Sequence, residues 1–105
     1  MRRDEALRRL REHRERLAAL GVTRAYLFGS VARDTASADS DIDVMVDLDE
    51  GPTGRKPLFS AFDLGGIQIE LTEIFGRPVD MVVRRDALRP GRLRAIAETQ
   101  LVNAF

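Results

Sequence analysis

Apolar side chains occupy every second position along residues 41–49, with acids at all but one of the positions between them, and this is the clearest pattern in the chain. One face of the segment carries Ile42, Val44, Val46 and Leu48, and the other carries Asp41, Asp43, Met45, Asp47 and Asp49. Successive side chains of a β-strand point to opposite faces, so the alternation predicts a strand with one apolar face. Two further apolar segments, residues 25–28 and 78–84, predict two more strands.

Helical spacing of apolar residues marks the segments between these strands. Leucines lie on one side of residues 4–20 while Arg and Glu fill the other sides, which predicts an amphipathic helix. Residues 30–33 predict a brief helix, residues 58–75 a longer one, and residues from about 92 to 105 a closing helix. The order αβαβαβα indicates an α+β protein in which a small mixed sheet is packed with helices.

Two adjacent glycines, Gly65 and Gly66, fall inside the predicted long helix. Each glycine in a helix interior costs about 1 kcal/mol relative to Ala. We therefore expect the pair either to break the helix or to let a neighbouring backbone come close.

Length and composition limit the classes of protein to consider. A chain of 105 residues predicts one domain, residues 1–105, with one modest core. The absence of Cys excludes disulfides, thiolate metal sites and Cys nucleophiles, and it agrees with a cytoplasmic location. No apolar run reaches about 18 residues and no charged-then-apolar leader is present, so we expect a soluble protein that does not bind a membrane.

Charge is balanced over the whole chain but unevenly distributed along it. Residues 1–24 carry eight Arg against four acids, residues 25–54 one Arg against seven acids, and residues 55–105 eight bases against six acids. A DNA-binding protein would be expected to show a dominant basic face, which this distribution does not predict. The Arg-rich first helix is interpreted as a solvated face, with contact to RNA or a partner as the alternative. The acidic middle suits a cation site.

Asp41 and Asp43 are the candidate metal ligands. Residues i and i+2 of a strand share a face roughly 6.6 Å apart by backbone rise, and two unit charges at that distance repel by about 2.5 kcal/mol at an effective dielectric near 20. A divalent cation reverses that penalty, because carboxylate oxygens are preferred ligands of Mg²⁺. Two such ions about 3.5 to 4 Å apart act as a clamp for displacement at phosphorus. The alternative is a solvated outer face of an edge strand.

The corner after the first strand supplies candidate phosphate ligands. Gly29 allows a close approach of the backbone, and Ser30 offers a hydroxyl together with N–H groups of the brief helix. Ser30 is also a candidate helix N-cap. Arg33 lies one helical turn further on and adds a charged donor. On the third strand, Asp80 is the candidate third acid, which completes the metal shell and assists removal of a hydroxyl proton.

The segment GSVARDTASADSDIDVMV resembles the motif of the DNA polymerase beta-like nucleotidyltransferase superfamily, in which Gly-Ser is followed ten residues later by Asp-x-Asp. Nearly the whole chain resembles the minimal nucleotidyltransferase (MNT) group, the antitoxin half of HEPN/MNT toxin–antitoxin pairs. The resemblance implies that Gly29 and Ser30 bind a nucleotide triphosphate, that Asp41 and Asp43 hold two Mg²⁺, and that a later strand carries the third acid, here Asp80.

The function that the resemblance implies is transfer of AMP from ATP to a hydroxyl, a Tyr of a partner HEPN ribonuclease, within a hetero-oligomer. Asp34 stands where the family usually has Gly, and a negative charge near the phosphates is expected to slow turnover. The alternative function is therefore a nucleotide-binding antitoxin that neutralises its partner by stoichiometric contact alone. A third alternative is transfer to tRNA or to an aminoglycoside-like acceptor. Such enzymes usually carry an additional acceptor-binding domain, for which we expect no room in 105 residues.

Overall fold

The computed structural model describes residues 1–35, 41–49, 61–88, 90–91 and 94–105. Within these ranges the helices and strands are, in chain order, α1 (Arg3–Glu12), α2 (Arg14–Ala19), β1 (Val22–Phe28), α3 (Gly29–Ala32), β2 (Ile42–Leu48), α4 (Ala61–Phe75), β3 (Val79–Val83), α5 (Arg84–Ala87), α6 (Arg94–Thr99) and β4 (Val102–Asn103). None of these helices is both long enough and apolar enough to cross a membrane.

The four strands form one mixed sheet in the order β3-β2-β1-β4. Strand β1 is antiparallel to both β2 and β4, whereas β2 and β3 are parallel. The predicted α+β class with a small mixed sheet is therefore confirmed. Since β2 hydrogen-bonds to a strand on each side, it is an interior strand, and the alternative that its acids line a solvated edge strand is wrong.

Apolar side chains cover both faces of the sheet. The larger cluster packs one face against α1, α2 and α4, and its fully buried members include Leu10, Leu17, Leu27, Ile42, Val44, Val46, Ile67 and Leu71. The smaller cluster consists of Phe28, Met45 and Ala87, with partly buried residues of β3 and the C-terminal segment packed against it. Met45 lies on the same face of β2 as Asp43 and is fully buried. The acidic face of β2 is thus only partly open.

The predicted first helix is two helices, because the chain breaks at His13. Its φ of −106° and ψ of 16° are not helical, and its backbone N–H bonds to Leu10 O at 3.2 Å. The imidazole Nδ1 lies 2.8 Å from Arg9 O, so the side chain hydrogen-bonds to a backbone carbonyl at the break.

The closing helix is shorter than predicted, and the element order therefore differs from αβαβαβα. Helix α6 ends at Thr99, and Val102 then pairs with Leu27 of β1 as part of a two-residue strand. A strand this short has no periodicity of its own and depends on hydrogen bonds to its neighbour. The predicted starts of the long helix at residues 58–60 and of the closing helix at residues 92–93 lie outside the described residues.

Several arginines of α1 and α2 hold other parts of the protein, which corrects the interpretation of this region as a purely solvated face. Arg9 donates to the last two carbonyls of α4, each at 3.3 Å, and Arg11 donates to Ala104 O at 2.7 Å. Arg16 pairs with Glu70 at 3.0 Å, and the Glu70 side chain is only 9% exposed. These contacts join the N-terminal helices to α4 and to the C-terminus.

Gly65 and Gly66 lie within the uninterrupted helix α4, and a Cβ added to either would have open space around it. Among the residues that the structure describes, the pair neither breaks the helix nor meets a close backbone contact. We expect Gly65→Ala to raise the free energy of unfolding by about 0.5–1 kcal/mol, because Ala loses less backbone entropy than Gly in a helix. Urea denaturation monitored by circular dichroism measures this change.

Gly76→Ala is the matched control for this prediction. Gly76 also has open space around a Cβ, but its φ is +65°, so Ala there is expected to destabilise the protein by about 1–2 kcal/mol. Equal effects of the two substitutions would contradict this account of the glycines.

Candidate active site

Strand register brings two of the predicted acids side by side. In the parallel pair β2–β3, Asp43 stands opposite Asp80, and in the antiparallel pair β1–β2 the same Asp43 stands opposite Phe28. Gly29 follows Phe28 directly, so the end of β1 and the two acids meet at one edge of the sheet. Asp41 immediately precedes β2 and is exposed.

The backbone of Gly29 touches the carboxylate of Asp43. Gly29 has a φ of +73°, and a Cβ at this position would overlap the Asp43 carboxylate, standing 3.0 Å from its Cγ. Only glycine has both the conformational freedom and the absent side chain that this contact requires. The corner is therefore built around Asp43.

Helix α3 begins at this corner and spans Gly29–Ala32. The predicted brief helix is confirmed, and Ser30 lies within its first turn, half-exposed. Phe28 occupies the N-cap position, so the alternative interpretation of Ser30 as the N-cap residue is wrong.

Electrostatics at the site favour a cation. Burial raises the pKa of Asp43 above its ordinary value, and the charges of Asp80 and Asp41 raise it further. Arg33 is exposed, and its charge acts in the opposite direction on the same carboxyl. The other three predicted charged residues, Asp41, Asp80 and Arg33, therefore all interact with Asp43. A bound divalent cation would relieve the repulsion among the three acids.

The donor set suits a metal ion that is shared with a substrate. Within the described part of the chain, no three acidic, His or Cys side chains converge closely enough to hold a cation by themselves. Mg²⁺ is usually bound by one or two carboxylates together with substrate phosphates. Asp43, crowded by Asp80 and lying against the open backbone of Gly29, fits that mode of binding.

Asp34 directs its carboxylate to the beginning of α1. The Arg3 N–H donates to Asp34 Oδ1 at 3.1 Å, and Arg2 Nη2 lies 3.8 Å from Asp34 Oδ2. We expected this charge to lie near the phosphates and to slow turnover. Since its contacts are to α1, the structure gives that expectation no support.

A second polar cluster on the acidic face was missed by sequence reasoning. Tyr26 donates its hydroxyl hydrogen to Asp47 Oδ2 at 2.9 Å, and Arg84 Nη1 lies 3.8 Å from Asp47 Oδ1. The Arg84 guanidinium also stands over the Tyr26 ring, 5.6 Å from its centroid. Burial, and then the hydrogen bond to Asp47, raise the pKa of Tyr26. Asp47 is thus engaged away from the site, although it shares the face of Asp43.

Comparison with known proteins identifies the class of this protein. The nucleotidyltransferase domain family matches residues 7–102, so the chain belongs to that family. Over 97% of this chain and 95% of the other, it is 35% identical to a solved structure described as a candidate minimal nucleotidyltransferase, with a TM-score of 0.71. The resemblance to the minimal nucleotidyltransferase group is confirmed.

Two other similarities are partial. A curated relative from Methanocaldococcus jannaschii, described as a candidate protein adenylyltransferase, is 40% identical over 62 residues, which are 59% of each chain. The match thus spans about three fifths of that relative's length. A mutant of the toxin–antitoxin MntA–HpeT is 18% identical, with a TM-score of 0.59 over 100% of this chain and 73% of that one, and this likeness concerns the fold.

Proposed function

We propose that this protein is a Mg²⁺-dependent adenylyltransferase that transfers AMP from ATP to a hydroxyl of a partner toxin and so acts as an antitoxin. The observation that carries the proposal is the strand register, which sets Asp43 beside Asp80 and against Gly29. Membership of the nucleotidyltransferase family agrees with a nucleotide substrate and a divalent metal.

Each site residue has a proposed role. Asp41, Asp43 and Asp80 hold two Mg²⁺, which would supply charge neutralisation for the phosphates of ATP. Gly29 and Ser30 donate backbone N–H groups and a hydroxyl to the triphosphate. Arg33 adds a charged donor to the same phosphates.

The proposed reaction is a displacement at the α-phosphorus of ATP. The acceptor oxygen forms a bond to that phosphorus, and the bond from phosphorus to the bridging oxygen of pyrophosphate breaks. The proton of the acceptor hydroxyl passes to Asp80, whose carboxylate is exposed beside Asp43. Pyrophosphate and an adenylylated acceptor are the products.

The proposed partner is a HEPN ribonuclease toxin, modified on a Tyr and bound in a hetero-oligomer in the cytoplasm. Support comes from the relative described as a candidate protein adenylyltransferase and from the fold shared with a toxin–antitoxin complex. We also propose that residues 1–105 form one nucleotidyltransferase domain, since both apolar clusters pack on a single sheet.

Transfer of radiolabel from [α-³²P]ATP to a purified HEPN toxin tests this function. With Mg²⁺ present, we expect the label to appear on the toxin and its ribonuclease activity to fall. Label that never appears on the toxin would contradict the enzymatic proposal. Neutralisation by a triple Asp41, Asp43, Asp80→Asn variant would instead favour an antitoxin that acts by stoichiometric contact.

A further inference from the structure

Asp34 lies at the junction of two elements that are distant in sequence. Its φ of +58° places it in the left-handed region, which Asp and Asn enter more readily than most residues. From that conformation its carboxylate accepts the Arg3 N–H at 3.1 Å, which is one of the N–H groups that α1 itself leaves without a partner. The Asp34 side chain thus caps the N-terminus of α1.

The backbone of Asp34 hydrogen-bonds to the C-terminal end of the second element, the corner helix α3. The Asp34 N–H donates to Val31 O at 3.0 Å, and the next residue, Thr35, donates its N–H to Ser30 O at 2.9 Å. A weaker contact of 3.3 Å joins Thr35 Oγ1 to the same Ser30 oxygen. The turn that contains Gly29 and Ser30 is therefore fixed at its end by the residue that also holds α1.

We propose that Asp34 is a positioning residue that fastens the phosphate-binding corner, Gly29 to Arg33, to the N-terminus of α1. Its importance for nucleotide binding rests on the proposed function, whereas the fastening itself does not. The negative charge is placed favourably, because the N-terminus of a helix carries partial positive charge and Arg2 stands nearby. Asp34 replaces the glycine usual in this family and adds a link that glycine lacks.

Three variants test this inference. Asp34→Asn keeps a side-chain acceptor and tolerates the left-handed conformation, whereas Asp34→Ala loses both. Arg9→Ala removes the contact between α1 and the end of α4 without touching the corner, so it controls for a general loss of stability. Amide hydrogen exchange over residues 29–35 and the Kd for Mg–ATP, from calorimetry, are measured for each protein.

We expect Asp34→Ala to accelerate exchange in the corner and to weaken Mg–ATP binding, each by about fivefold, the effect typical of one lost capping interaction. Asp34→Asn should remain within about twofold of the wild type in both measurements. Arg9→Ala should lower the melting temperature without changing either corner measurement. If amide exchange over residues 29–35 is unchanged in Asp34→Ala, the proposal that Asp34 fastens the corner to α1 is wrong.

Two further outcomes separate this inference from the proposed function. If exchange rises in Asp34→Ala but the Kd stays at the wild-type value, Asp34 does not position the corner for nucleotide. If the wild-type protein does not bind Mg–ATP, the proposed function fails, and the exchange measurement still decides whether Asp34 fastens the corner.

Discussion

Asp43→Asn is expected to lower kcat/KM for AMP transfer by at least about 100-fold, more than the usual loss for an outer-shell partner of a metal. Asp43 is the proposed metal ligand at the centre of the site, where Asp80 is its neighbour across the parallel strands and Gly29 lies against it. Replacing this carboxylate by an amide removes the charge of the central proposed ligand. Label transfer at ATP concentrations well below KM measures the effect.

The same substitution is expected to raise the melting temperature of the metal-free protein at neutral pH. Burial and the charges of Asp80 and Asp41 raise the pKa of Asp43, so its ionised form is destabilising in the folded state. A group with a raised folded pKa contributes stability at low pH and loses it as the pH rises through that pKa. The stability advantage of Asp43→Asn should therefore shrink as the wild type is acidified.

Asp47→Asn is the control for the effects on activity and on stability. Asp47 shares the strand and face of Asp43, but its carboxylate is hydrogen-bonded to Tyr26. We expect its AMP transfer to remain close to the wild-type rate. Equal losses of activity in the two variants, or an Asp43→Asn protein that is less stable at neutral pH without metal, would contradict this account of the acids.

Gly29→Ala is expected to reduce AMP transfer by about 100-fold, the loss that a displacement near 1 Å in a catalytic group can cause. The added methyl group would overlap the Asp43 carboxylate, and the φ of +73° adds roughly 1–2 kcal/mol of strain. Either the carboxylate or the corner must move. Steady-state kinetics with ATP as the varied substrate measures the change.

Gly76→Ala separates the two causes. Gly76 has a similar φ, +65°, but open space around a Cβ, so the substitution introduces strain without overlap. It should lower stability and leave transfer unchanged at temperatures where the protein stays folded. A Gly29→Ala enzyme with wild-type kinetics would show that the contact with Asp43 has no role in transfer.

The alternation of residues 41–49 was sufficient to predict strand β2 and the shared face of its acids, because a period of two is a property of the backbone. The sequence also placed Asp80 on a different strand, β3. The register that sets Asp80 opposite Asp43, however, depends on how α4 returns the chain to the sheet, and no local pattern specifies it. Asp80 was therefore predictable as the candidate third acid, whereas its exact position opposite Asp43 was not.

Features that depend on distant partners were not predictable from local patterns. Strand β4 exists only because β1 pairs with it. Asp34 departs from the family motif, and its carboxylate accepts a hydrogen bond from the N–H of Arg3, which lies 31 positions away in sequence. In each case the contact that decides the structure is tertiary, so propensity and periodicity carry no signal of it.

The most direct test of the proposed site is a crystal structure with a non-hydrolysable ATP analogue and Mn²⁺, whose anomalous scattering locates the metal. We predict metal peaks bonded to carboxylate oxygens of Asp43 and at least one of Asp41 and Asp80, with the triphosphate on the N–H groups of Gly29 and Ser30. A nucleotide bound elsewhere, or metal peaks that avoid Asp43, would contradict the account.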